Sequence, residues 1–407
     1  MFPTRPSTLS ETYRILMIAP TSFFFDYGCH VRILEEARAL QGLGHQVTII
    51  TYYLGRDIPD LEIVRTRPTP WRADYEVGSS RHKIAFDIFL GWLGFKIVLR
   101  RRFDIIHSHL HEGALIGHFL SQIRRIPLVA DFQGSLTAEM VDHRFINPDG
   151  RWYYWMHLLE TRIDRFPDII ITSTTQAAQT LKEEFDCVPE RVIALPDRVN
   201  ADFFHPDVLS PDQIASQRTA LGVPTGWPVA VYLGLLADYQ GIPHLVQAAR
   251  ILKERGVEVC FLIGGFPGVP RYRQMAADMG VGDRVIFRGK IPREETPVHL
   301  ALGDIAVAPK ISATEGCGKI LEYMAMKLPT VAFDAPQNRE YMGNLGTYAN
   351  QIGDPVALAD AIAGLLSDPQ GCIELGRKLR KRVIHHFSWE RVGRDLVAIY
   401  RTLLTKT

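Results

Sequence analysis

Two glutamates, two glycines and a lysine lie close together in the last quarter of the chain. Gly316, Gly318 and Lys319 stand between the carboxylates of Glu315 and Glu322. A glycine-bearing loop that leads into a helix presents unpaired backbone N–H groups to an anion, and Lys319 adds a cation there. Carboxylates only accept hydrogen bonds, so beside a phosphate they favour the hydroxyls of a sugar or a ribose. The residues predict a sugar-nucleotide site, although a plain loop followed by solvated helix positions fits the spacing equally well.

The residues around this cluster predict the elements that hold it. Good helix formers after Lys319 predict a short helix over 319–326. Pro329 and the β-branched pair that follows it predict a strand over 330–333. Near the other end of the chain, Gly28 stands between an apolar run and a helical stretch. It permits close approach of a ligand to the backbone, or merely serves a turn.

Short apolar runs alternate with helical stretches along most of the chain. Such runs are typical of parallel strands that are buried on both faces. They lie at 14–20, 46–51, 103–109, 127–132, 168–173 and 192–195, and then at 229–233, 257–263, 284–287, 305–308 and 330–333. The proline-rich, polar stretch 201–228 separates the two series and predicts a linker. We therefore predict an α/β protein with two doubly wound, Rossmann-like domains facing each other across a cleft. The first would comprise residues 1–200 with the C-terminal tail 388–407, and the second residues 205–387.

Charge and cysteine content exclude some functions. Lysine and arginine number 46 against 45 aspartate and glutamate, which argues against a nucleic-acid-binding protein. The five cysteines are scattered and odd in number, and the N-terminus lacks an apolar signal core, so we expect a reduced, cytoplasmic chain. The apolar segment 84–99 contains Asp87 and Lys96 and is shorter than the ~20 residues of a spanning helix. We predict a largely buried helix there, with a surface-bound membrane helix as the alternative.

Taken together, these segments resemble glycosyltransferase family 4, a family of retaining enzymes with the GT-B fold. The resemblance covers nearly the whole chain and is carried by the segments 44–51, 104–109, 284–292, 315–332 and 387–392. It implies transfer of a sugar from a nucleoside-diphosphate sugar to an acceptor hydroxyl on a sugar or a lipid-linked glycan. It implies no cofactor and no metal ion.

The resemblance also implies roles for individual residues. Glu322 would accept the ribose hydroxyls of the donor, and Glu315 would face the transferred sugar. Gly28 would approach the diphosphate from the other domain, and His109 would orient a substrate hydroxyl. Gln133 stands where the family commonly has a histidine at the end of the strand, and the resemblance implies a catalytic role for it. The remaining donor-binding residues would be Gly316, Gly318, Lys319, Ile320 and Leu321, with Arg288 and Lys290 at the nucleobase and phosphate pocket.

Several positions depart from the family pattern. Glu315 and Glu322 enclose six residues where the family has seven. Leu235 and Gln240 replace the arginine and lysine that usually contact the diphosphate, and Asp197-Arg198 replaces the usual Asn-Gly. Another cation must then face the phosphates. Lys319 is our prediction because of its place at the helix start; the other candidates are Lys310, Arg198, Arg288 and Lys290.

Other interpretations remain open. His107, His109 and His111 with Glu112 could form a zinc site, but a satisfied core histidine is the favoured interpretation of His107. A sugar-nucleotide isomerase of the epimerase kind and a non-catalytic sugar-nucleotide-binding protein are the alternative functions. The basic stretch 65–83, which precedes the apolar segment, could attach the protein reversibly to an anionic membrane surface; a solvated loop is the competing interpretation.

Overall fold

A computed structural model describes residues 12–25, 28–68, 83–142, 145–312 and 316–405, without the side chain of Glu390. The predicted sugar-facing Glu315 therefore lies outside the described residues, as does most of the basic stretch before residue 83. The described chain forms two separate parallel sheets with helices on both faces. The predicted α/β class and two-sheet architecture are confirmed.

The first sheet is built entirely from the first half of the chain. Its strands are β1 (Arg14–Ala19), β2 (Gln46–Thr51), β3 (Glu62–Arg65), β4 (Ile105–His109), β5 (Leu128–Phe132), β6 (Ile169–Thr172) and β7 (Val192–Ala194). Their order is β3-β2-β1-β4-β5-β6-β7, and each neighbouring pair is parallel. The order reverses direction between β1 and β4, which is where ligands bind in doubly wound sheets.

The second sheet repeats this arrangement. Its strands are β8 (Val229–Leu235), β9 (Cys260–Phe266), β10 (Val285–Gly289), β11 (Ile305–Ala308), β12 (Thr330–Phe333) and β13 (Thr347–Ala349), in the order β10-β9-β8-β11-β12-β13. The apolar runs predicted the other eleven strands of the two sheets, whereas β3 and β13 were missed. Both missed strands are short edge strands with partly exposed residues, so they lack the continuous apolar run of a buried strand.

Helices cover both faces of each sheet. In the first half they are α1 (Gly28–Gly42), α2 (Lys83–Arg100), α3 (Leu110–Arg124), α4 (Leu136–Asp142), α5 (Arg151–Ile163) and α6 (Thr175–Glu183). α7 (Pro211–Ala220) lies in the predicted linker. The second half contains α8 (Ile242–Glu254), α9 (Val269–Asp278), α10 (Thr296–Ala301), α11 (Lys319–Ala325), α12 (Pro336–Met342), α13 (Pro355–Leu366), α14 (Pro369–His386) and α15 (Val392–Leu404).

The chain passes between the two sheets at two adjacent points. The Val199 N–H donates to the Phe387 carbonyl at 2.9 Å, and Val199 forms an isolated parallel bridge with Ser388. After this crossing, α15 packs on α1, and its buried Tyr400 joins the apolar core of the first sheet. The tail therefore returns to the first sheet. The exact domain limits at 200, 205 and 387 stay predictions.

The segment 84–99 forms a helix, but the prediction that α2 is largely buried is wrong. Its buried positions are Leu90, Gly94 and Val98, which follow one another at helical spacing along one face. Gly94 lets α2 approach α3 closely, because a Cβ there would clash with the Leu120 side chain. On the opposite face Ile84 and Ile88 are each 68% exposed. Among the described residues, none of the helices combines the length and the apolar character needed to cross a bilayer.

Candidate functional site

A cavity of about 330 Å³ lies where the carboxyl ends of the two sheets meet. Its walls are formed by residues that come at or just after the ends of strands, as expected for facing doubly wound sheets. Of the predicted site residues, the cavity is lined by Gly28, Gln133, Gly316, Gly318, Lys319 and Glu322. His109, Arg288, Lys290, Ile320 and Leu321 are not among its lining residues. The structure thus brings both halves of the predicted site to one cleft.

The glycine loop packs directly against the first domain. A Cβ at Gly316 would collide with the Tyr341 hydroxyl and lie 3.1 Å from Asp197 Oδ2. At Gly318 the same carboxylate oxygen would lie 3.4 Å from an added Cβ. The Tyr341 hydroxyl donates to Asp197 Oδ2 at 3.2 Å, which fixes this contact. Gly316 is therefore required for the close approach of the two domains, whereas an added Cβ at Gly318 would make only an ordinary contact.

Lys319 is the first residue of α11, and its side chain reaches Tyr232 on β8. Its ammonium donates to Gln240 Oε1 at 2.8 Å and to the Tyr232 hydroxyl at 2.9 Å, and it lies 4.3 Å from the centre of the Tyr232 ring. Gly234 leaves the necessary space, because an added Cβ would lie 2.7 Å from Lys319 Nζ; its φ of +146° also favours glycine. Gln240, which stands where the family usually has a lysine, therefore binds the ammonium of Lys319 at the cleft.

Glu322 lies one helical turn after Lys319 and forms an ion pair with Arg293. Both side chains are mostly buried, with 16% and 11% of their surfaces exposed. The Arg293 guanidinium also lies 4.7 Å from the centre of the Phe204 ring, so its position is fixed by packing as well as by charge. Both residues line the cavity. Glu322 is consequently a positioned carboxylate rather than a solvated helix residue.

The other candidate cations differ in how they reach the cavity. Lys310 is buried, lines the cavity and donates to the Gly316 carbonyl at 3.4 Å. Arg198 also lines it, and its guanidinium donates to the His386 carbonyl at 3.2 Å. Arg288 and Lys290 are exposed, and the Lys290 ammonium lies 5.1 Å from the centres of the Phe25 and Phe266 rings. Lys319 and Lys310 are therefore the candidates next to the glycine loop.

Asp131, at the end of β5, organises the first-domain side of the site. It accepts hydrogen bonds from Arg32 Nε at 2.9 and 3.0 Å, from Gln133 Nε2 at 2.7 Å and from His109 Nδ1 at 3.1 Å. Burial opposes its ionisation, but the Arg32 guanidinium and the His109 ring hold the pKa of Asp131 below its usual value. His109 is fully buried. It lies behind the cavity and contacts Gln133 only through Asp131.

Arg32 connects this carboxylate to the second domain. Its Nη1 donates to Asp197 Oδ1 at 3.0 Å and its Nη2 to the Leu195 carbonyl at 3.2 Å. Asp197 in turn contacts Tyr341 and the glycine loop. The departure from the family pattern at Asp197 therefore has a structural counterpart, because the added carboxylate accepts a hydrogen bond from Arg32.

A second group of charges lines the first-domain wall. Lys83 Nζ lies 2.6 Å from Glu112 Oε1. Although burial opposes the charge, Glu112 and Glu139 raise the pKa of Lys83 above its usual value. The Tyr52 hydroxyl donates to Asp87 Oδ1 at 2.5 Å. Burial and the charge of Glu112 raise the pKa of Asp87 to about 7.

The histidines do not form the zinc set considered from the sequence. His107 and His109 stack with ring centroids 4.7 Å apart, both fully buried, and His107 Nδ1 lies 2.6 Å from the Tyr400 hydroxyl. His111 is the second residue of α3 and faces Glu160 and Asp164 at 3.4 and 3.3 Å. Burial opposes its charge, but these carboxylates raise the pKa of His111 above its usual value. His107 is a core histidine with its Nδ1 next to the Tyr400 hydroxyl, but it is not fully satisfied, because its Nε2 has no hydrogen-bond partner among the described residues.

Sequence reasoning missed Arg293, Arg32 and Asp131. Arg293 comes directly after the segment 284–292 that carries part of the family resemblance. Asp131 interrupts the otherwise apolar, buried strand β5, whereas Arg32 is one of several polar residues of α1. A charged residue in a buried strand must find a buried partner, because an unpaired buried charge is very costly. That signal could have identified Asp131, although not its pairing with Arg32.

Comparison with known proteins identifies the family. Residues 27–197 match the family model described as "Glycosyl transferase 4-like domain", and residues 227–368 match "Glycosyl transferases group 1". Together the two models span most of the chain, one on each sheet. The chain belongs to glycosyltransferase family 4. The family name was thus correctly predicted from the sequence.

Individual relatives extend over nearly the whole of this glycosyltransferase. It is 24% identical to a D-inositol 3-phosphate glycosyltransferase of Corynebacterium glutamicum (strain R), over 92% of this chain and 91% of the relative. Among solved structures it is similar to a sucrose-phosphate synthase from Thermosynechococcus elongatus, with a TM-score of 0.79, 21% identity and coverage of 97% and 100%. It is also similar to Anabaena Alr3699/HepE in complex with UDP-glucose, with a TM-score of 0.75, 16% identity and coverage of 96% and 100%. These structures support the GT-B fold.

Proposed function

We propose that this glycosyltransferase moves a sugar, with retention of anomeric configuration, from a nucleoside-diphosphate sugar to an acceptor hydroxyl. The observation that carries the proposal is the pairing of Lys319 and Glu322 on one turn of α11, both in the wall of the cleft. A cation suits a phosphate, and a carboxylate suits vicinal hydroxyls. The similar fold of Alr3699/HepE, which was solved with UDP-glucose, supports a donor of this class.

The donor is placed along the second-domain wall. The diphosphate lies against the backbone of 316–321, within reach of the ammonium groups of Lys319 and Lys310. Glu322, held by Arg293, accepts the ribose hydroxyls. Gly28 approaches the diphosphate from the first domain, where, among the described residues and apart from its chain neighbours and its own helix backbone, no atom lies within 4 Å of an added Cβ. Arg288 and Lys290 stay candidates for the nucleobase end.

The reaction breaks the bond between the anomeric carbon and the diphosphate oxygen and forms the new bond on the same face of the sugar. The departing diphosphate takes the proton of the acceptor hydroxyl. Negative charge grows on the leaving group, and Lys319 stabilises it there. Glu315 is proposed to face the positive charge that develops on the sugar. In this proposed transfer step, protein side chains stabilise both developing charges and no metal ion takes part.

The acceptor is placed against the first-domain wall. Gln133 lies in this wall and is oriented by Asp131, while His109 acts on it from behind as a positioning residue. Lys83 and Glu112 provide one charge of each sign on the same side of the cavity. A hydroxyl-rich sugar or the glycan of a lipid-linked acceptor can bond to such a wall.

Hydrolysis of a donor panel with and without acceptors tests the proposal. We expect one class of nucleotide sugar to release its nucleoside diphosphate, and we expect NMR of the product to show the anomeric configuration of the donor. Glu322→Ala should lower kcat/KM for the donor at least about tenfold. Glu374→Ala, which removes an exposed carboxylate on α14, is the matched control. An inverted product would refute retention, an isomerised sugar nucleotide would indicate the epimerase alternative, and binding without turnover would indicate a non-catalytic protein.

We further propose that the acceptor is presented at an anionic membrane surface. The three neighbouring helices α2, α3 and α5 each carry an outward apolar stripe; α2 and α3 also cover the sheet, whereas α5 packs on α3 and α4. These side chains, which we call the α2–α3–α5 face, are between 44% and 68% exposed: Ile84, Ile88 and Trp92 on α2, Leu115 and Phe119 on α3, and Trp152, Trp155 and Leu159 on α5. Exposed arginines border it at Arg100, Arg101, Arg124, Arg125 and Arg151. Aromatic side chains with adjacent cations suit the interface of an anionic bilayer.

Flotation with vesicles tests the membrane proposal. We expect the protein to float with vesicles that contain phosphatidylserine and not with phosphatidylcholine alone. Replacing Trp92, Phe119 and Trp155 by serine should abolish flotation. Serine at Ile373 and Ile384, which are 50% and 47% exposed on α14, is the matched control. Equal absence of binding to both vesicle types, with full activity on a dissolved sugar acceptor, would refute the membrane proposal.

A further inference from the structure

A second group of side chains converges inside the first domain, away from the cleft. Glu36 on α1 and His107 and His109 on β4 are fully buried, and none of them lines the cavity. One carboxylate oxygen and one ring nitrogen from each histidine lie within 4.8 Å of one another. Within the part of the chain that the structure describes, both Glu36 oxygens and the Nε2 atoms of the two histidines lack a hydrogen-bond partner. Unpartnered polar atoms are rare in protein interiors, so this group calls for an occupant.

The other ring nitrogen of each histidine, Nδ1, already lies within hydrogen-bonding distance of a polar side chain. His107 Nδ1 lies 2.6 Å from the Tyr400 hydroxyl, and His109 Nδ1 lies 3.1 Å from Asp131 Oδ2. Because Asp131 can only accept, the proton of neutral His109 is on Nδ1, and its Nε2 presents a lone pair to the cluster. A histidine whose outer nitrogen donates to a carboxylate is the usual arrangement around a bound metal ion.

The buried charges point to a cation. Arg32 lies among three carboxylates, with its Nε 3.3 Å from Glu36 Oε1, 2.9 Å from Asp131 Oδ2 and its Nη1 3.0 Å from Asp197 Oδ1. With all of these groups ionised, one positive charge faces three negative charges. The remaining two negative charges require either two protons or one divalent cation, because unpaired charges are too costly to bury.

We propose that Glu36, His107 and His109 form a binding site for a divalent transition-metal ion, with zinc as the ion to test first. Glu36 Oε2 lies 3.5 Å from His107 Nε2, close to the ~3.3 Å between ligand atoms of a tetrahedral site with bonds of about 2.0 Å. Glu36 Oε1 lies on the side of Arg32, at 3.3 Å from its Nε, which leaves Oε2 as the oxygen that faces His107. Two imidazoles and a carboxylate are a ligand set that zinc accepts.

The role of this ion is structural and goes beyond sugar transfer. It would join α1 to β4, and through the Tyr400 hydroxyl it would also fix the tail helix α15 on the first domain. The other histidine–carboxylate group, His111 with Glu160 and Asp164, differs because both Glu160 oxygens accept backbone N–H groups, from Leu136 at 2.9 Å and Thr137 at 2.8 Å. This second group therefore provides an internal control.

Metal analysis of the full-length protein tests the proposal. We expect about one zinc per chain after refolding in the presence of zinc and dialysis, and replacement by cobalt(II) should give the visible absorption bands of a tetrahedral site. Glu36→Gln should weaken zinc binding at least about tenfold, as should His107→Gln. His111→Gln should leave the stoichiometry unchanged. If a variant does not fold, the wild-type protein still tests the proposal. Wild-type protein refolded with zinc should then contain more metal and melt at a higher temperature than wild-type protein refolded with a chelator.

Wild-type protein refolded in zinc that carries no metal, and that melts at the same temperature with and without a chelator, would overturn the proposal. The cluster would then hold two protons instead of a dication. Loss of zinc in His111→Gln with retention in Glu36→Gln would equally overturn it, because the metal would belong to the other group. Neither result depends on glycosyltransferase activity.

Discussion

Replacing Lys319 by alanine should slow turnover much more than it weakens donor binding. The ammonium of Lys319 is held at the cleft by Gln240 at 2.8 Å and by the Tyr232 hydroxyl at 2.9 Å. In the proposed reaction it faces the oxygen on which negative charge accumulates. An interaction that strengthens as the bond breaks appears mainly in kcat and less in KM.

The magnitude follows from the type of contact. A hydrogen bond to a charged group contributes about 1.5–3 kcal/mol. Each ~1.36 kcal/mol changes a rate tenfold, so kcat should fall between about 10-fold and about 150-fold. Tyr232 retains its 2.7 Å hydrogen bond to the Leu235 carbonyl in the variant. The fold should therefore survive, with a modest loss of stability from the emptied space.

Steady-state kinetics with the donor identified from the panel measures this effect. Lys182→Ala, which removes an exposed lysine on α6, controls for the loss of one positive charge. Gln240→Leu removes one anchor of the ammonium and keeps its charge, so it should reduce kcat less than Lys319→Ala does. A kcat of Lys319→Ala within about twofold of the parent value would exclude Lys319 as the leaving-group cation, and Lys310 would become the next candidate.

Three further results are expected. Glu322→Ala should weaken donor binding at least about tenfold in calorimetry, since it removes a charged acceptor of hydroxyl hydrogen bonds, and unchanged affinity would remove Glu322 from the site. Gly234→Ala should lower kcat in the same direction as Lys319→Ala, because the new Cβ would lie 2.7 Å from Lys319 Nζ; parent-like kinetics would contradict this. Burial raises the pKa of Asp87 to about 7, so the folded state binds the Asp87 proton more tightly than the unfolded chain does. The free energy of unfolding should therefore fall as pH rises from about 4 to about 7, by at most about 4 kcal/mol. Asp87→Asn should flatten this part of the melting-temperature profile, and an unaltered profile would show that Asp87 is not its source.

The amino-acid sequence by itself determined the architecture. Continuous apolar runs report strands buried on both faces, and their alternation with helical stretches specifies two parallel sheets. Gly316, Gly318 and the helix that follows them were also readable locally, because loop and helix signals depend on neighbouring residues. The short edge strands β3 and β13 were missed, since an edge strand that is only partly buried needs no apolar run.

Only the tertiary structure decided how charges are paired and which helix faces are covered. The Arg32–Asp131 and Arg32–Asp197 contacts join residues 99 and 165 positions apart, and the Arg293–Glu322 pair joins residues 29 positions apart. The apolar segment of α2 was expected to be buried, yet half of it faces outward because only one stripe reaches α3 and the sheet. The periodicity of apolar residues in the sequence shows which face of a helix is apolar. What lies against that face, and which partner a buried charge finds, depends on the packing of distant segments.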